Sequence, residues 1–170
     1  MFDFARWLAT TPPSMAVKTI PGLAQLLQVV HLLTAGVALA SVLLIVLRLN
    51  GLVPAMGGSA RNCPRNCQYL AVWFWRAMAI MAATGLAFIL GEPVREFSAL
   101  SFWLKLALLA GGSAGMLWLG RRFREQGEPT PAMRRIALAV LLLWICVGLL
   151  GRFIGYDIPI WGMWSPRAHL

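Results

Sequence analysis

Four long apolar stretches punctuate the chain, at roughly 23–47, 70–90, 100–120 and 135–155, separated by short segments rich in Arg, Pro and Gly. Each is close to or above the ~20 residues that an α-helix needs to cross the hydrocarbon core of a bilayer. Short connections favour antiparallel neighbours. The pattern therefore predicts an all-α integral membrane protein, a four-helix up-down bundle over residues 23–156.

The flanks read differently. Residues 1–22 mix Phe2, Phe4, Trp7 and Leu8 with Asp3, Arg6 and Lys18, and Pro12-Pro13 interrupts them. This predicts an interfacial N-terminal segment of one or two short helices lying in the headgroup layer. Residues 157–170 carry two Trp and two Pro, which suits an interfacial C-terminal tail. The first apolar run is too long for a signal-peptide core and lacks a small-residue cleavage pattern, so the N-terminus is expected to be retained.

Composition agrees: 59% of residues are hydrophobic and only 12% charged, about half the charge of an average soluble domain. The formal net charge of +9 is read as membrane orientation and contact with anionic lipid. No DNA- or RNA-binding motif is present, and nucleic acid is not expected as a partner. With these spans, nine Lys and Arg fall on the side of the two larger loops and six on the other side. The positive-inside rule then puts both larger loops in the cytoplasm and both termini outside. "GRRFREQGEPTPAMRR" carries the strongest signal.

Small residues let helices approach closely in lipid. Ala107, Gly111 and Gly115 recur at a spacing of four, as do Ala79, Ala83 and Ala87, and Gly151 with Gly155. They read as packing stripes.

His31 stands inside the first apolar run. At helical spacing its face reads Gln28, His31, Thr34, Ala35, Ala38 and Ser41, all polar or small, so the imidazole is expected to face the bundle. An ionisable group inside a membrane helix is costly and marks a functional hypothesis. His31 lies eight residues into the helix, roughly 12 Å below the surface at 1.5 Å per residue. Lys105, Arg152, Glu92, Tyr156 and Asp157 fall toward the same side. Together they predict a polar pocket opening outward, with His31 at its floor and Gln28, Thr34, Glu92, Lys105 and Tyr156 around it. Bland roles compete. Arg152 and Lys105 can snorkel to headgroups, Glu92 before Pro93 can be a loop acid, and His31 can simply bond a neighbouring helix.

Cys63 and Cys67 form a single pair in the first large loop, without the second pair a structural zinc site commonly uses. Two thiolates could hold copper(I). On the reducing side of the membrane a stable disulfide is not expected. Cys146 and the eight Met read as core filler. Haem held between helices usually takes His from two of them. With one buried His, the second ligand would be a Met or come from another subunit.

"VVHLLTAGVALASVLLIVLRLNGL", "ATGLAFIL", "FWLKLALL" and "GRFIGY", in this order over residues 15–156, resemble a group of small, uncharacterised four-helix bacterial inner-membrane proteins. The group is distantly similar to copper-resistance D type membrane proteins. Val46 stands where that group carries Asp, and Gln28 where an acid often sits near the His. The resemblance implies His31, Lys105 and Arg152 as marked positions and supplies no reaction.

Three functions follow as expectations. The first is handling of a metal ion such as copper, or of a small solute, at the His31 pocket. The second is a haem- or quinone-associated subunit of an electron-transfer complex, with the cofactor near His31 and Arg152. The third is a structural subunit. A four-helix chain encloses little volume, so it is expected to pair with copies of itself or with other membrane subunits. No nucleophile–base pair is evident, which argues against an enzyme acting alone.

Overall fold

A computed structural model describes residues 2–53, 63–125 and 129–169, with the side chains of all of these except Cys63, Pro64, Arg167 and His169. The described residues are helical almost throughout, and none lies in a strand. Two short helices, α1 (Phe2–Ala9) and α2 (Pro12–Thr19), precede the first long one, α3 (Leu23–Leu49). Then come α4 (Cys63–Gly91), the short α5 (Pro93–Phe97), α6 (Leu100–Arg124), α7 (Pro131–Phe153) and the short α8 (Asp157–Trp161), with 3-10 turns at Ile154–Tyr156, Gly162–Trp164 and Pro166–His169. The four long helices are each long and apolar enough to cross a membrane. The chain is a multi-pass membrane protein built as a four-helix bundle.

The helix ends follow local chemistry. Gly22 and Gly51, at φ 79° and 72°, bracket α3 in the left-handed region that glycine alone enters freely. Beyond Arg48-Leu49, the Leu52 N–H closes the helix on Leu47 O at 2.9 Å, a Schellman ending. Thr130 caps α7 by accepting from the Met133 N–H at 3.3 Å, with Pro131 at the first position. Pro12 and Pro93 open α2 and α5 in the same way.

Several boundaries move. α4 begins seven residues before the expected apolar run, because "CPRNCQY" is polar but helical, with Pro64 tolerated in the first turn. Cys63 and Cys67 are therefore not loop residues: both lie at the start of α4, and Cys67 is fully buried. α6 runs four residues past 120, its Arg-rich last turns staying helical in water. Pro93–Phe97 is an additional helix.

α3 packs along α4, and α6 along α7; α3–α7 and α4–α6 contacts close the ring. Each long helix turns one stripe inward. On α3 it carries Ala38, Val42, Ile45 and Leu49; on α4, Cys67, Ala71, Phe74 and Met81. On α6 it carries Met116, Leu119 and Phe123; on α7, Met133, Ala137, Val140, Trp144 and Val147. This core fills the half of the bundle nearest the α3–α4 and α6–α7 connections.

Close approach of α6 and α7 depends on glycine. A Cβ on Gly115 would collide with Val140, and one on Gly112 would come within 3.2 Å of the Trp144 indole nitrogen. Of the expected stripe Ala107, Gly111 and Gly115, only Gly115 lies in this close approach, with Gly112 rather than the exposed Gly111 beside it. The other stripes form no such approach within the chain: Ala79 and Ala83 are exposed, and nothing lies within 4 Å of a Cβ on Gly155. Cys146, expected in the core, is exposed on the outer face of α7.

Gly115→Ala should therefore weaken the bundle by about 1–3 kcal/mol through overpacking. Gly120→Ala, where a Cβ meets nothing within 4 Å, should be neutral or stabilising by up to ~1 kcal/mol. Thermal unfolding of the two variants in one detergent compares them; equal midpoints would remove Gly115 from the interface.

Candidate functional site

Moving along the inward stripes away from the core, the side chains change character. Between the packed core and the end carrying both termini, the inward positions are His31, Thr34 and Ala35 on α3 and Thr84, Gly85 and Phe88 on α4. Lys105 and Leu108 continue α6, and Gly151 continues α7. Apart from Phe88 and Leu108 they are small or polar, where the core below is largely Val, Ile, Phe, Met and Trp. No residue of 23–37, 85–90, 103–111 or 148–153 is fully buried. The bundle thus contains a half-packed layer.

A second, smaller packed zone lies beyond it, formed by Ala99, Phe102 and Ile154 with Ile89 and Phe97 against them. The short helices complete this end. Val17 of α2 lies where a Cβ on Gly91 would meet it at 2.9 Å, and the Phe4 ring of α1 stands 6.4 Å from Phe97.

His31 sits in the half-packed layer against α4. Its Nδ1 is 2.7 Å from Thr84 Oγ1, its ring meets Phe88 edge-on at 5.5 Å, and its Cε1 lies 3.6 Å from where a Cβ on Gly85 would be. The Thr84 hydroxyl has one hydrogen and lies 3.0 Å from Ile80 O and 3.1 Å from Met81 O of its own helix. With that hydrogen given to a carbonyl, Thr84 Oγ1 accepts from His31 Nδ1–H. The imidazole is then the Nδ1–H tautomer, and its Nε2 presents a bare lone pair. The Met81 carbonyl of α4 is a further hydrogen-bonding neighbour of the ring. Thr34, one turn on, turns its hydroxyl back to Val30 O at 2.8 Å and His31 O at 3.0 Å.

Lys105 comes in from α6. Its Nζ lies 3.6 Å from where a Cβ on Gly151 would be, so the ammonium occupies space that a side chain on α7 would take. It is close enough to His31 to act on the imidazole electrostatically, and the carboxylate that acts on it is that of Glu96. Among the described residues it has no hydrogen bond and no ion pair. Glu96 is buried on α5, 3.8 Å from Arg95. At the floor of the layer, Trp144 buries an indole N–H that has no acceptor among the described residues.

The remaining expected pocket residues lie elsewhere. Gln28 is exposed. Glu92 is exposed and ion-paired with Arg95. Arg152 is exposed and rests over the Tyr156 ring at 5.9 Å, as a snorkelling pair does. Cys67 is far away: 17 positions separate it from Thr84 on α4, roughly 25 Å of helix, and the Cys63 side chain lies outside the described set. Among the described residues, no three His, Cys, Asp or Glu side chains lie together as a metal site would require.

Asp157 is the polar residue that matters most at the termini end and was not among the expected pocket residues. Fully buried, it accepts from the Leu100 N–H at 3.0 Å, the Ser101 N–H at 3.0 Å, the Ser101 hydroxyl at 2.7 Å and the Ser165 hydroxyl. Trp161 Nε1–H donates to Ser101 Oγ at 2.8 Å. α6 starts after Ala99, which has no capping side chain, so Asp157 supplies the cap from 57 residues away. The C-terminal segment is thereby fastened onto the start of α6.

Comparison with family models, curated proteins and solved structures gives no match to this chain.

Asp157→Ala should destabilise the protein by ~3 kcal/mol, since several buried donors lose their acceptor at once, while Ser165→Ala should cost only about 1 kcal/mol. Chemical unfolding of both in detergent measures this; a mild effect of Asp157→Ala would mean the cap is dispensable. Separately, 15N-histidine labelling in a His169→Ala background should show His31 protonated at Nδ1 and bare at Nε2. Thr84→Val should abolish that preference. A proton on Nε2 in the unaltered protein would reverse the assignment.

Proposed function

We propose that this is a bacterial inner-membrane protein, both termini periplasmic, that holds a small hydrogen-bonding solute in the half-packed layer between His31 and Lys105. One observation carries the reading: the His31 imidazole, bonded to Thr84 on α4, lies within electrostatic reach of the Lys105 ammonium, which has no hydrogen bond and no ion pair among the described residues. Ionisable groups at this depth are costly, and a solute that bonds both offsets that cost. Orientation rests on the basic loop side, where Arg121, Arg122, Arg124, Arg134 and Arg135 are all exposed and positioned for anionic lipid.

The solute reading is favoured over copper on electrostatic grounds. A metal cation beside His31 would meet the Lys105 charge, and a single imidazole is a thin donor set for copper. The haem reading keeps one specific support. An axial His characteristically donates its other ring N–H to a partner, as Nδ1–H does to Thr84 in the assigned tautomer. The second ligand would come from a partner copy. Only 22–33% of each membrane-spanning window is buried, which leaves apolar surface for lipid, for homo-oligomerisation or for other membrane subunits, including the purely structural role.

Protein purified in mild detergent should be colourless and free of stoichiometric metal, and His31→Ala should leave its stability within ~1 kcal/mol, the scale of a helix–helix hydrogen bond in a membrane. A Soret band lost in His31→Ala would establish the haem reading instead, and stoichiometric copper lost in that variant would establish metal handling.

A further inference from the structure

The outer face of α4 carries a charge that the bundle itself does not use. Arg76 is exposed, and among the described residues it makes no hydrogen bond and no ion pair. Its guanidinium lies over the Trp73 ring of its own helix, 5.4 Å from the centroid. Its depth follows from what faces the other way. Phe74, two residues back, turns inward and meets Trp144 of α7 edge-on at 5.2 Å. The Trp144 indole lies against Gly112, the middle residue of α6 (Leu100–Arg124). Arg76 therefore stands within about one turn of mid-depth. The other arginines described on the long helices lie in the first or last two turns. A charge that faces hydrocarbon at this depth is costly, and the ring of Trp73 offsets only part of the cost.

The face around Arg76 has the geometry of a seam between two helices. Tyr69, Val72, Arg76, Ala79, Ala83 and Leu86 recur at alternating spacings of three and four, and all six are exposed. Two helices that wind around each other meet at this spacing. The alanines one and two turns from Arg76 let a second backbone approach closely. A single polar position in such a seam fixes the register and the choice of partner. Here the position selects a carboxylate at the same depth. This chain supplies none: its six acids, Asp3, Glu92, Glu96, Glu125, Glu128 and Asp157, all fall outside the four apolar stretches. A second copy related by a two-fold axis through the seam would set Arg76 against Arg76, like charges away from water.

We infer that the Tyr69–Leu86 face of α4 docks a transmembrane helix of a different protein, one with an Asp or Glu near its middle, and that Arg76 pairs with that carboxylate. The face is separate from the His31–Lys105 layer, since His31 meets α4 on its inward side, at Thr84.

The probe is a synthetic polyleucine transmembrane peptide with one central Glu. The full chain and the peptide carry donor and acceptor dyes, and energy transfer is followed in phosphatidylcholine vesicles as both are diluted in lipid. The Glu peptide should associate roughly tenfold more tightly than the same peptide with Leu at the centre, the upper range of a polar contact between membrane helices. Moving the Glu to one end of the peptide should lose the advantage. Arg76→Gln should remove the preference, and Arg76→Glu should transfer it to a peptide with a central Lys. Ala79→Phe, which holds a partner helix away, should also weaken the Glu peptide and serves as a second variant should the Arg76 variants fail to fold. Equal association of the Glu and Leu peptides overturns the proposal, as does a Glu preference that survives Arg76→Gln. Two further outcomes overturn the partner. Loss of the preference when phosphatidylglycerol is added assigns Arg76 to lipid headgroups. A disulfide between two copies carrying Ala79→Cys, with Cys63, Cys67 and Cys146 replaced by Ala, assigns the seam to a second copy.

Discussion

Two apolar helices surrounded by hydrocarbon gain little by hiding leucines from each other, because lipid tails are as apolar as leucine. What holds them together is close contact, and close contact needs short side chains at the crossing. The Gly112 and Gly115 surface of α6 supplies this against Val140 and Trp144 of α7. Once that pair is seated, the core residues of α3 and α4 complete the lower half of the ring. In the layer above the core, small residues occur at Gly85 and Gly151, but what approaches them is the imidazole of His31 and the ammonium of Lys105 rather than an apolar side chain of a facing helix.

The termini end is held by a different kind of force. Asp157 satisfies the first backbone donors of α6 and gathers Ser101 and Ser165 around one carboxylate. A helix start without a capping side chain leaves N–H groups that the bilayer interior cannot satisfy. This cap therefore fixes the C-terminal segment over the bundle and sets the ceiling of the layer below it. Packing from one end and polar fastening from the other leave the middle free to keep unpaired chemistry.

The spans were legible because apolar length reports membrane crossing directly, and the inward face of α3 from His31 to Ser41 was legible because small and polar residues repeat at helical spacing. The same rule placed Gln28 inward, where the side chain is in fact exposed. Spacing also made Ala79 and Ala83 look like an interface inside the bundle. Small size permits close approach without requiring it, and α4 turns Phe74 and Met81 inward instead. Cys146 was misplaced because an apolar helix in lipid is apolar on every side, so hydropathy does not tell its faces apart. The role of Asp157 leaves almost no trace in "GYDIPIW"; the available signal was Ala99 at the start of α6, a helix opening with no cap of its own.

The groups in the layer weigh against a purely structural role for it. A hydrogen bond between membrane helices is worth ~0.6 kcal/mol on average, whereas an ionisable side chain at the centre of a membrane helix costs about 3 kcal/mol. The His31–Thr84 bond is too weak to justify Lys105 beside it, and among the described residues Lys105 makes no hydrogen bond or ion pair that would make it a fastener. Arg152 shows what a merely tolerated cation does near the membrane surface: it turns outward and lies on Tyr156. Lys105 instead lies against Gly151, where α7 offers no side chain. A cation turned inward against a glycine of the facing helix, within electrostatic reach of an imidazole, is an arrangement that packing alone does not require.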